Sequence, residues 1–168
     1  MTDTPTRTPV DTGKVTGRRT LRFESIDELR AEVDRLAASE REGKLRALGN
    51  WTLGQALGHL ATWAEYSFCG APLKPPFLIK LILRMGKKKF LNGSMRTGVR
   101  IPKVPGGTLG TDDLPLDEAL TRYRTALDRL RRESPTAPNV IFGPLTHEEW
   151  INLNLRHAEL HLSFFVPS

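Results

Sequence analysis

The chain has 168 residues, 39% of them hydrophobic and 26% charged, which suits one globular domain rather than several. No stretch of about 18 apolar residues occurs, which excludes a transmembrane helix, and the polar first twenty residues lack the apolar centre of a signal peptide. A single cysteine, Cys69, excludes an internal disulfide and fits a reducing cytoplasm.

The net charge of +6 is unevenly placed. Between Ala71 and Pro105 there are nine Lys or Arg and no Asp or Glu, so the rest of the chain is net negative. A local basic segment is therefore more informative than the overall balance.

Residues 1–20 read as a disordered arm before one domain over 21–168. Ser25 and Glu28 have capping-box spacing and open a first helix, with Ile26, Leu29, Val33 and Leu36 as its apolar stripe and Gly43 as its stop. Thr52 and Gln55 open a second helix, with Trp51 placed to staple the turn. Ala56, His59, Leu60 and Trp63 share one face, so His59 lies on or beside the buried stripe. Gly54 and Gly58, one turn apart, permit close approach of another helix. The second helix fades near Cys69-Gly70.

Residues 71–113 form a long irregular connection rich in Pro and Gly, and connections of this length are usually functional. Within it, residues 76–90 predict one short amphipathic helix with Lys80, Arg84 and Lys87 to Lys89 among and after its apolar positions. A third long helix runs from Leu116 to Arg132, with Pro115 at its start. After a Pro-containing turn comes the last helix, Thr146 to Phe165, opened by a capping box from Thr146 to Glu149. No segment shows a convincing period-two strand pattern. The expected fold is all-α, a four-helix bundle with one long crossover between helices 2 and 3.

The last helix carries the chemistry. Trp150, Asn154, His157, Leu160, His161 and Phe164 line one face, and His157 and His161 are one turn apart, so both imidazoles can address one point. Two His at this spacing can offer a metal two ligands. The alternative is a pair of core histidines, each bonded to a carbonyl or carboxylate. His59 on the second helix is the candidate third ligand.

The run Gly49-Asn-Trp-Thr-Leu-Gly-Gln-Ala-Leu-Gly-His59, the segment Phe142 to Trp150 and the closing Leu155 to Phe165 resemble an uncharacterised branch of the DinB/YfiT-like superfamily, over about residues 21–167. The resemblance implies a four-helix bundle whose metal ligands are His59, His157 and His161, with homodimers common among similar bundles. It also implies chemistry known from characterised relatives, including S-transferases that use low-molecular-weight thiols.

Three neutral imidazoles leave an open position on a divalent ion, Zn or Ni being the leading choices, where water or a thiol loses its proton near neutral pH. A thiol-dependent S-transferase or a hydrolase acting on a small-molecule substrate follows, with Asn154, Trp63 and Trp150 as supporting residues. Glu65 and Glu159 read as solvated helix glutamates, and His147 as a helix-start residue, not a fourth ligand. Cys69 reads as a packing residue. A second class of function is non-catalytic: the basic amphipathic segment 76–90 could lie on an anionic membrane surface or an acidic partner. Nucleic-acid binding has only charge in its favour, without a recognisable motif, and is not expected.

Overall fold

The computed structural model describes residues 9–168, and the first eight positions of the expected arm lie outside the described residues. The protein is mostly helical. Its helices are α1 (Ile26–Arg41), α2 (Leu53–Cys69), α3 (Phe77–Met85), α4 (Lys87–Asn92), α5 (Leu116–Arg132) and α6 (His147–Leu162). Strands β1 (Leu45–Ala47) and β2 (Phe165–Pro167) pair antiparallel, with Leu45 opposite Pro167 and Ala47 opposite Phe165. This pair corrects the expectation of no strands. Each has only three residues, too few for a period-two pattern to stand out. It also corrects the end of the last helix, which stops at Leu162 so that Phe165 can enter β2.

The capping signals act as the sequence expects at two helices. Thr52 with Gln55, and Thr146 with Glu149, each exchange both hydrogen bonds of a capping box. At α1, Ser25 accepts from the Glu28 N–H, but the Glu28 carboxylate takes the Glu24 N–H instead of returning to Ser25.

The four long helices share one core. Leu29, Val33 and Leu36 of α1 meet Leu57 and Leu60 of α2, Tyr123, Leu127 and Leu130 of α5, and Leu155 and Leu162 of α6. At about 1.5–3 kcal/mol for each fully buried large apolar side chain, this stripe is the main source of stability. The segment before α1 is held to the end of α6. Arg19 donates its backbone N–H to the Ser163 carbonyl and its guanidinium to Phe165, while Val10 exchanges two hydrogen bonds with Asn50.

The long connection between α2 and α5 is where the structure departs furthest from expectation. The single helix expected over 76–90 is two helices, broken at Gly86. α4 packs on α6 through buried Leu91, and Lys87 pairs with Glu149 at 2.7 Å. The chain then returns across α2 before entering α5. Gly54 and Gly58 make that crossing possible: a Cβ on Gly54 would overlap the Leu114 carbonyl oxygen, and one on Gly58 would sit 3.0 Å from the Leu114 side chain. The glycine stripe thus admits the end of the connection at Leu114 and, at Gly54, the first residue of α5, Leu116. Farther along, Gly110 takes φ +72° and lies against Thr62. This crossing brings the Leu109 carbonyl over His59.

Candidate metal centre

His59, His157 and His161 come together. The ring nitrogens they offer lie within 4.8 Å of one another. The His157 Nε2 stands between the other two, 3.2 Å from His59 Nε2 and 3.0 Å from His161 Nε2. Ligands on a tetrahedral ion with metal–nitrogen bonds near 2.0–2.1 Å are about 3.3 Å apart, and the two distances from His157 fall within a few tenths of an ångström of that value. The cluster could hold a metal ion.

The hydrogen bonds favour ligands over ordinary core histidines. The Nδ1–H of His59 donates to the Leu109 carbonyl at 2.6 Å, which leaves the Nε2 lone pair facing the cluster. His157 and His161 have only ring nitrogens as hydrogen-bond partners among the described residues. Core histidines would be expected to find carbonyls or carboxylates.

Electrostatics point the same way. Burial pushes His59 down to about 4, against the opposing effect of its bond to Leu109. Burial, and then the neighbouring imidazoles, hold His157 and His161 well below the ordinary histidine range. All three are neutral at pH 7, the state in which a ring nitrogen can donate its lone pair.

Aromatic rings fix the imidazoles. Trp51 stacks on His161, with centroids 5.1 Å apart and planes 17° from parallel, and also touches His59 at 4.9 Å. Trp63 meets His157 edge-on at 5.7 Å. Position alone marks Trp51 as a staple, and its role beside the cluster is an addition from the structure. The available signal was its place beside the cap of the helix that carries His59.

The cluster lies on the wall of an open cleft of about 1050 Å³, which Trp63, Trp150 and Asn154 also line. Trp63 and Trp150 each have a buried indole N–H without a partner among the described residues. The Asn154 amide donates to the Trp150 carbonyl at 2.9 Å and to Ser67 at 3.3 Å, and does not bond to a histidine. From the long connection come Leu83, Lys89 and Phe90, among others.

Other candidates go elsewhere. The His147 Nε2 donates to the Leu130 carbonyl at the end of α5, at 2.6 Å. Glu65 pairs with Arg122. Glu159 is buried rather than solvated: it accepts the Phe23 N–H at 2.7 Å and pairs with Arg156, whose side chain is 2% exposed. Arg156 in turn donates to the Phe23 carbonyl, so the pair clamps the segment before α1 onto α6. Cys69 is exposed, which corrects its reading as a packing residue.

The model of the family described as "Protein of unknown function (DUF1569)" matches residues 15–168. No curated protein and no solved structure matches the chain. No described helix is long and apolar enough to cross a membrane.

Proposed function

The chain belongs to that family of unknown function, and from the geometry of its site we propose a divalent-metal enzyme acting on a small molecule, with His59, His157 and His161 as the metal ligands. One observation carries the reading: three neutral imidazoles from two helices bring their ring nitrogens within 4.8 Å of one another on the wall of a large cleft. We read the four long helices as a four-helix bundle of the DinB/YfiT-like type, forming a single domain from residue 21 onward. Zinc or nickel suits an all-imidazole set.

An ion held there by His59, His157 and His161 would supply a Lewis acid that lowers the pKa of a bound water or low-molecular-weight thiol. The chain's own residues do the rest. The Leu109 carbonyl fixes the tautomer and rotation of His59. Trp51 holds the His161 ring in place by stacking, and burial keeps all three imidazoles unprotonated. The Trp63 and Trp150 rings line the cleft, while their indole N–H groups are buried without an acceptor among the described residues. Asn154, held against Ser67 and Trp150, stiffens the same wall. An S-transfer from thiol to electrophile and a hydrolysis would use this arrangement alike, and we favour the transfer on the family resemblance.

The test is metal content by elemental analysis of untagged protein beside His157→Ala/His161→Ala. The expected result is about one ion per chain, lost in the variant. Absence of metal after purification, and after reconstitution with Zn, Ni, Mn and Fe, would sink the proposal. A loaded protein is then screened with thiols and electrophilic acceptors.

A further inference from the structure

α3 leaves its apolar side uncovered. None of its nine residues is buried. Phe77, Leu78, Leu81, Ile82 and Met85 follow one another at i, i+1, i+4, i+5 and i+8, which places them on an arc of about 140° along one side of the helix. Their exposure runs from 47% at Leu81 to 84% at Met85. Scattered exposed apolar residues need no explanation, but five on one face of one helix form a patch of the kind that marks an interaction site. Outside that arc the helix is tied to the protein: Leu83, on the opposite side, lines the cleft, and Arg84, at the arc's edge beside Phe77, donates its guanidinium to the Ile141 carbonyl at 3.1 Å.

The charge around the patch says what covers it. Of the nine cations between Ala71 and Pro105, only Lys87 has an acidic partner among the described residues. Lys80 sits on α3 itself, and exposed Lys74, Lys88 and Lys89 lie just before and after it. A second copy of the chain docked about a two-fold axis through α3 would set this cationic segment against its own image, where like charges repel. An anionic lipid surface meets both demands, since it takes apolar side chains at the acyl boundary and cations at the headgroups. We propose that α3 docks the protein on an anionic membrane surface, with Phe77, Leu78, Leu81, Ile82 and Met85 inserted and the flanking lysines at the headgroups. Because the same helix supplies Leu83 to the cleft wall, docking sets the cleft beside the lipid.

The test is co-sedimentation of the full chain with vesicles of phosphatidylcholine and phosphatidylglycerol, against vesicles of phosphatidylcholine alone. Sedimentation velocity without lipid runs in parallel. The expected result is binding to the mixed vesicles only, weakened by added salt. Phe77→Ser/Leu81→Ser/Met85→Ser should lose at least about a hundredfold in affinity, and Lys80→Gln/Lys88→Gln about fivefold per lysine. Circular dichroism and metal content, unchanged in both variants, show that the fold and histidine cluster persist. Failure of wild-type protein to bind the mixed vesicles overturns the inference. So does binding that survives the triple substitution. Self-association that the triple substitution abolishes, without vesicle binding, would assign the face to a second copy. The inference does not rest on the metal, so either proposal can fail alone.

Discussion

Gly110→Ala links backbone conformation to metal affinity. Gly110 has φ +72°, where a side chain costs about 1–2 kcal/mol. A Cβ there would also stand 2.7 Å from Thr62 Cβ and Oγ1. Thr62 cannot yield easily, because its hydroxyl donates to the Gly58 carbonyl and accepts from Arg122, which Glu65 holds in turn. The connection must therefore lift off α2. The residue before it is Leu109, whose carbonyl orients His59. The substitution should destabilise the protein by roughly 2–4 kcal/mol, combining backbone strain with overpacking. Loss of an outer-shell partner should weaken metal binding by about 10–100-fold. Gly43→Ala is the control: its φ is +67°, but no atom lies within 4 Å of the new Cβ. It should cost about 1 kcal/mol and leave metal binding unchanged. Urea unfolding measures the first quantity, and competition with a chromogenic chelator for zinc measures the second. Gly110→Ala protein that folds and binds zinc with wild-type affinity would refute the claim that the Leu109 carbonyl sets up His59.

Two further predictions concern buried charge. Glu159→Gln leaves the Arg156 cation without its counterion at 2% exposure, and should cost about 3–5 kcal/mol in urea unfolding. A loss below about 0.5 kcal/mol, the range of ordinary surface substitutions, would show that the ion pair does not clamp the chain as described. In metal-free protein, His59 falls from 6.5 in the unfolded chain to about 4 in the folded one, so the native state binds fewer protons between these values. Its contribution is fully present above pH 6.5, declines as pH falls toward 4, and amounts to roughly 3 kcal/mol across that window. His157 and His161 shift in the same direction and steepen the decline. Urea midpoints of apo protein that stay constant from pH 7 to about pH 4.5 would contradict the burial of neutral imidazoles.

Much of the site was legible because it is written in side chains at helical spacing. His157 and His161 are one turn apart, and the capping boxes at Thr52 and Thr146 set where the two histidine-bearing helices begin. What stayed hidden is carried by backbone or by distant partners. The Leu109 carbonyl has no side-chain signature, and nothing in its neighbourhood marks it as the partner of a histidine fifty residues earlier. Glu159 lies two residues after His157 on a helix rich in charge. Its burial depends on Arg156 beside it and Phe23 far away, and periodicity within the helix does not reveal the second. The break at Gly86 is a local event in a run of good helix formers, and the run alone favours continuity.

The glycines of α2 show why the connection belongs to the site rather than decorating it. Gly54 and Gly58 each weaken the helix by about 1 kcal/mol relative to alanine, a cost that needs a compensating contact. The contact is the chain at Leu114, which lies too close for a Cβ at Gly54. One turn beyond Gly58 on α2, Thr62 receives Gly110, and the residue just before that anchor presents its Leu109 carbonyl to His59. The same connection carries α3, with its uncovered apolar face, and Lys89 and Phe90 on the cleft wall. A single segment thus orients one metal-ligand candidate, walls the cleft and presents the cationic surface.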